Sequence, residues 1–203
     1  MVVSETADMD RRAVVGCALT RDLGRVTLRG LPNRPGMQAT VFDRIARANV
    51  LVDDIIQNEA GERADVAFTV EGSALADVKA AAAAALEELG GARLDIEVGL
   101  SKVSAVGTGM RTHTGVAARM FRALADAGIT IANITTSEIK ISCIVPREDA
   151  ERALRTVHDA FDLGSRDDLV DAGGDPPVIE LAAAEAAASR IAEPADDQVR
   201  LLA

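Results

Sequence analysis

The chain is built from two copies of one pattern. A shift of 79 positions, which carries Gly36 onto Gly115, also carries Ala39 onto Ala118, Phe42 onto Phe121 and Ala46 onto Ala125 without a gap. The same shift matches Ala48 to Ala127 and Ile55 to Ile134. Such a duplication limits the chain to a fold whose unit can be made twice. In each copy a strand-like run passes through a glycine turn into an amphipathic helix. Met37, Val41, Phe42, Ile45 and Ala48 recur at spacings of three and four, as do Val116, Met120, Phe121, Leu124 and Ala127. Each helix therefore has one apolar face to bury.

Taken in order, residues 1–12 read as a disordered tail and Val14 to Thr20 as a short strand, closed by a turn at Arg21-Asp22-Leu23-Gly24. Arg25 to Leu31 is the next strand, the helix from Gly36 to Ala48 follows, and Val50 to Gln57 is a strand ending in a hairpin turn over Asn58 to Glu62. Arg63 to Val70 alternates, with Ala64, Val66, Phe68 and Val70 on one face. A helix from Ser73 to Leu89 takes Ser73 as its N-cap and stops at Gly90-Gly91. Arg93 to Val98 closes the first copy. In the second copy Lys102 to Val106, Ile129 to Thr135 and Glu138 to Val145 are strands. Gly115 to Ala127 and Glu148 to Phe161 are helices.

The first copy, 25–98, is a ferredoxin-like βαββαβ unit, an antiparallel sheet with two helices on one face. The second, from 101 to 163, lacks its last strand where one should occur. Strand 14–20 is the obvious replacement. The expected fold is α+β, with two βαββαβ domains, the first inserted in the second. The domains are 25–98 and 13–20 plus 101–163, and 164–203 is an acidic linker and Ala-rich tail.

Composition narrows the function. With 48% hydrophobic and 27% charged residues the chain is globular rather than disordered. A net charge of -10 and a pI near 4.7 argue against nucleic acid or an anionic membrane as partner. The chain has no Trp or Tyr and four Phe, too few for the aromatic platform that single-stranded nucleic acid needs. Two cysteines, Cys17 and Cys143, and two histidines, His113 and His158, cannot assemble a zinc cluster, and no cofactor is expected. If strand 14–20 joins the second sheet, the cysteines lie two strands apart, too far to bridge. The first dozen residues carry Glu5, Asp8 and Asp10 and lack an apolar segment, and the alanine runs are too short to span a bilayer. A soluble, cytoplasmic protein is expected.

The candidate site is the stretch Gly30-Leu31-Pro32-Asn33-Arg34-Pro35-Gly36 with the helix behind it. The first amides of a helix have no internal partner and suit a carboxylate or phosphate. The plainer alternative is a strand-to-helix turn without a ligand.

These residues resemble the regulatory part of aspartate kinase, a tandem pair of ACT domains, over about residues 13–163. The resemblance rests on Val26-Thr27-Leu28 with Pro32-Asn33-Arg34-Pro35-Gly36, then Phe42, and Val52-Asp53 through Gln57-Asn58. In the second copy it rests on Lys102-Val103-Ser104 with Gly107-Thr108-Gly109-Met110-Arg111-Thr112-His113, and on Ser137-Glu138-Ile139-Lys140-Ile141-Ser142. It implies feedback sensing of threonine and/or lysine, a homodimer formed through ACT domains, and a catalytic aspartate kinase subunit as partner. It also implies the inserted arrangement reached above by counting strands. Carried over, the first effector site would use Asn33, Gly36, Gln38, Asp53 and Gln57, with Thr130 and Ile131 from the neighbouring copy. The second would use Met110, Val116, Ala117, Ser137 and Glu138. The sequence departs from the family pattern at Asn33, where an acidic residue is common, and at Thr114 in His113-Thr114-Gly115.

No Gly-rich nucleotide loop with a phosphate-binding lysine and no Ser–His–acid or Cys–His constellation is present, so no independent catalysis is expected. The chain is expected to be a separate regulatory subunit or a fragment of a longer kinase. Two alternatives stand beside it: a structural ACT dimerisation module with decayed effector sites, and a free-standing sensor for another pathway.

Overall fold

A computed structural model describes residues 13–108 and 115–163. The readings of 1–12 as a tail, of 164–203 as linker and tail, and of Met110, His113 and Thr114 lie outside the described residues. Among the described residues, six strands and four α-helices follow in the order β1 Gly16–Pro32, α1 Met37–Arg47, β2 Asp53–Ala60, β3 Arg63–Glu71, α2 Leu75–Leu89, β4 Arg93–Val106, α3 Val116–Asp126, β5 Asn133–Thr136, β6 Lys140–Pro146 and α4 Ala150–Ala160. Single turns of 3-10 helix, Gly72–Ala74 and Arg147–Asp149, precede α2 and α4. No helix among the described residues is long and apolar enough to cross a membrane.

The chain divides into two compact units. Of the described residues, the first comprises 20–102 with 144–150, and the second 13–19 with 103–108, 115–143 and 151–163. In the first unit the strand order is β2-β3-β1-β4. Both β1 and β2 run antiparallel to β3, with Val26 opposite Phe68, Leu28 opposite Val66, and Gln57 opposite Val66 from the other side. Because side chains alternate along a strand, Val26, Leu28, Ala64, Val66, Phe68 and Val70 all face α1 and α2 and are buried there. Met37, Val41 and Ile45 of α1 and Val78, Ala82 and Ala85 of α2 close this core, and the rings of Phe42 and Phe68 meet with centroids 5.7 Å apart. The opposite face of the sheet is polar: Arg29 pairs with Asp65 at 2.9 Å and with Asp95 at 2.5 Å, and Arg25 pairs with Glu97.

In the second unit the order is β1-β4-β6-β5. The Val15 N–H donates to the Val106 carbonyl (2.8 Å), so the N-terminal residues of β1 lie beside the end of β4. Cys17 on β1 and Cys143 on β6 are separated by β4, and both thiols are free and buried. Val116, Met120 and Leu124 of α3 are buried, with Ala153, Leu154 and Val157 of α4.

Several boundaries differ from expectation. The turn at Arg21-Asp22-Leu23-Gly24 does not form. β1 runs through it, because Leu23 and Gly24 pair with Glu71 and Val70 of β3 while Leu23 packs with Leu100 and Ile144. Asp22 absorbs the irregularity at φ 58°. Likewise the separate strands Arg93–Val98 and Lys102–Val106 are one strand, with Gly99 at φ 72° inside it. Ser73 is not a cap. It lies in the 3-10 turn, α2 starts after Ala74 without a side-chain cap, and the Ser73 hydroxyl is 3.5 Å from Glu71. Gly90 does stop α2, at φ 66° and ψ 37°. β2 reaches Ala60, so the hairpin turn is only Gly61-Glu62.

Candidate effector site

The loop between β1 and α1 in the first unit is held against the β2–β3 hairpin. The Asn33 N–H donates to the Glu62 carbonyl (2.9 Å), and Asn33 Nδ2 lies 3.4 Å from the Gly61 carbonyl. Within the loop the Arg34 N–H donates to the Pro32 carbonyl (2.9 Å) and the Met37 N–H to the Arg34 carbonyl (3.3 Å). Gly36 is the N-cap of α1, at φ 90° and ψ -12°, a left-handed conformation that favours glycine. A Cβ there would have nothing within 4 Å, so space stands open above it. No side chain caps the helix, and its first carbonyl acceptor is Gly36 O, bonded by the Thr40 N–H at 3.0 Å. The amides of Gln38 and Ala39 fall in the turn that an α-helix leaves without internal partners.

From α1, Gln38 Nε2 donates to Gln57 Oε1 (2.8 Å) on β2. Gln57 Nε2 in turn donates to Glu59 Oε1 (3.2 Å). Opposite Val66 and Ala64, both core residues, Gln57 and Glu59 emerge on the same face of the sheet as α1. The structure thus brings Asn33, Gly36, Gln38 and Gln57 to one end of the first unit, with Glu59, which had been read as part of a turn.

Asp53 is engaged elsewhere. Its carboxylate pairs with the ammonium of Lys102, its other oxygen accepts the Asp54 N–H (2.8 Å), and its carbonyl accepts the Thr69 hydroxyl (3.1 Å). Asp54 adopts φ 48° at an irregularity in the β2–β3 register and lies 3.3 Å from the same ammonium. Lys102 is buried. Burial opposes its charge, but the hydrogen bond it donates to Asp53 and the field of both aspartates outweigh that, and its pKa is raised. Sequence reasoning took Lys102 only as part of a family motif, because its partners lie some fifty positions away along the chain.

The remaining candidates lie in the second unit. Gly115 caps α3 at φ 96°, repeating Gly36, and its carbonyl accepts the Arg119 N–H (2.9 Å). Val116 is buried and Ala117 half-buried just behind it. Thr130 is exposed and Ile131 half-buried ahead of β5. Ser137 and Glu138 form an exposed turn between β5 and β6, where the Ser137 N–H donates to the Lys140 carbonyl (2.7 Å). Met110 lies outside the described residues.

Comparison with known proteins fits this architecture. Residues 103–161 match the model of an ACT domain. The chain is 41% identical over 165 residues to an aspartokinase of Thermus thermophilus, an alignment covering 80% of the chain and 40% of that protein. The chain thus spans about two fifths of the length of the curated aspartokinases it matches. The solved regulatory subunit of aspartate kinase from Thermus thermophilus is 42% identical, with a TM-score of 0.69, and the match covers 74% of this chain and 99% of that one. Aspartokinase III of E. coli, solved with lysine and aspartate, is 26% identical with a TM-score of 0.55, over 74% of this chain and 33% of that one. The chain belongs to the aspartate kinase family, as an ACT-type, ferredoxin-like α+β regulatory region.

Proposed function

We propose that the chain senses an end-product amino acid, threonine and/or lysine, and transmits its binding to a catalytic aspartate kinase partner in the cytoplasm. The observation that carries this reading is the open, uncapped start of α1 at Gly36, with the Gln38–Gln57 bridge beside it. Unpartnered amides favour the ligand's carboxylate, and amide and carboxylate oxygens suit its ammonium. An aspartokinase of related fold has been solved with lysine present.

On this reading the units are two ACT domains, 25–98 inserted in 13–20 plus 101–163. The place of the N-terminal residues of β1 beside β4 supports it. Two chains pack side by side through these domains, so that Thr130 and Ile131 of one copy complete a site with Asn33, Gly36, Gln38 and Gln57. Val116, Ala117, Ser137, Glu138 and Met110 form the second site.

A structural module with decayed sites is the second reading. It is favoured by Asn33, whose side chain turns to the Gly61 carbonyl, and by Asp53, whose carboxylate is held by Lys102. Titration calorimetry with the twenty amino acids separates the two. Heat with threonine or lysine supports sensing, and no heat with any amino acid supports the structural module. Asn33→Asp sharpens the result: tighter threonine binding marks a working site, and unchanged behaviour marks decay.

A further inference from the structure

We propose that Glu59 is the residue that receives the ammonium group of the bound amino acid, with Gln38 and Gln57 as the residues that orient it. This deepens the sensing reading and rests on it.

An ionised carboxylate only accepts hydrogen bonds, so Glu59 forces Gln57 to present its Nε2. That turns Gln57 Oε1 toward α1, where Gln38 must then present its own Nε2. One charge therefore sets the direction of every hydrogen bond in the chain Gln38–Gln57–Glu59. The result is a carboxylate fixed beside the Gln57 amide nitrogen, with the Gln57 amide oxygen facing α1, at the end of the sheet where the β1–α1 loop carries Gly36. That is the acceptor set a primary ammonium needs.

The other candidates for this role are committed. The Asn33 amide nitrogen is turned to the Gly61 carbonyl. Asp53 is paired with Lys102. On the opposite sheet face the carboxylates of Asp65 on β3 and Asp95 on β4 are paired with Arg29. Glu59 is exposed, and it accepts from the neutral amide of Gln57.

The test compares wild type, Glu59→Gln and Glu59→Asp by titration calorimetry. The ligands are threonine with its deaminated analogue 3-hydroxybutyrate, and lysine with 6-aminohexanoate. Glu59→Gln is isosteric and sits on an exposed position, and unchanged thermal melting confirms that each variant is folded. A charge-assisted hydrogen bond predicts that Glu59→Gln weakens the amino acid by about tenfold or more. It also predicts that the advantage of the amino acid over its deaminated analogue shrinks by the same factor, and that Glu59→Asp recovers part of it. Equal weakening of both ligands, or wild-type affinity in Glu59→Gln, overturns the assignment and leaves sensing standing. A wild-type protein that binds no amino acid overturns both.

Discussion

The ammonium of Lys102 lies 3.3 Å from the carboxylate of Asp54 inside the first unit, with side chains only 2% and 7% exposed. Asp53 completes the pair from the surface side. A buried lysine persists only when its partners replace the water it has lost, and here two aspartates at the first residues of β2 do so. Asp54 itself adopts a left-handed backbone conformation there, at φ 48°. Lys102→Met therefore takes the ammonium away from both the Asp53 and Asp54 carboxylates, and we predict a loss of about 3–5 kcal/mol in urea unfolding. Lys102→Met combined with Asp53→Asn and Asp54→Asn is predicted to lose less than Lys102→Met alone.

The same cluster gives stability a pH dependence. A raised native pKa means that the folded protein binds the Lys102 proton more tightly than the unfolded chain does. The stabilisation is full below the ordinary lysine value of about 10.4 and is lost as pH climbs through the higher native value. Unfolding free energy should fall on the alkaline side in wild type and fall less in Lys102→Met, as measured by urea titration between neutral and strongly alkaline pH.

Burial pushes both thiols, Cys17 and Cys143, up to about 12. Thiolate is the reactive form, so both are predicted to be inert to disulfide reagents at pH 8 in the native protein. Two equivalents should react at once in denaturant. Rapid labelling of either under native conditions would contradict the packing of β1 and β6.

Two glycines of the same loop chemistry should respond differently. At Gly36 an alanine meets open space but a left-handed backbone, which predicts a cost of about 1–2 kcal/mol. At Gly107 the new Cβ would lie 2.2 Å from the Ala13 carbonyl oxygen and 2.8 Å from Val14 Cα. Backbone there must move, and with it the Val15–Val106 hydrogen bond, so Gly107→Ala is predicted to lower the thermal midpoint more than Gly36→Ala. Melting curves of the two variants decide it.

The helices and their buried faces were legible because period and burial coincide: Met37, Val41 and Ile45, and Val116, Met120 and Leu124, are the buried residues of α1 and α3. The length of β1 and β4 was not. Arg21 to Gly24 carries local turn chemistry, and the pairing of Leu23 and Gly24 with β3 overrides it. At the candidate site, Gly36 as a left-handed helix start could be read from its place before an amphipathic run. Nothing local reveals that Lys102 pairs with the carboxylate of Asp53. Glu59 was missed because its strand was ended three residues early, and a turn residue carries no face.

The claim that an amino acid sits on the Gly36 turn is tested most directly by amide NMR of the labelled protein during titration with threonine and lysine. The account predicts that one of them shifts the backbone amides of Gln38 and Ala39 together with the side-chain amides of Gln38 and Gln57, saturably and with a single affinity. Resonances at these positions that stay fixed while either ligand is raised to millimolar concentration would contradict it.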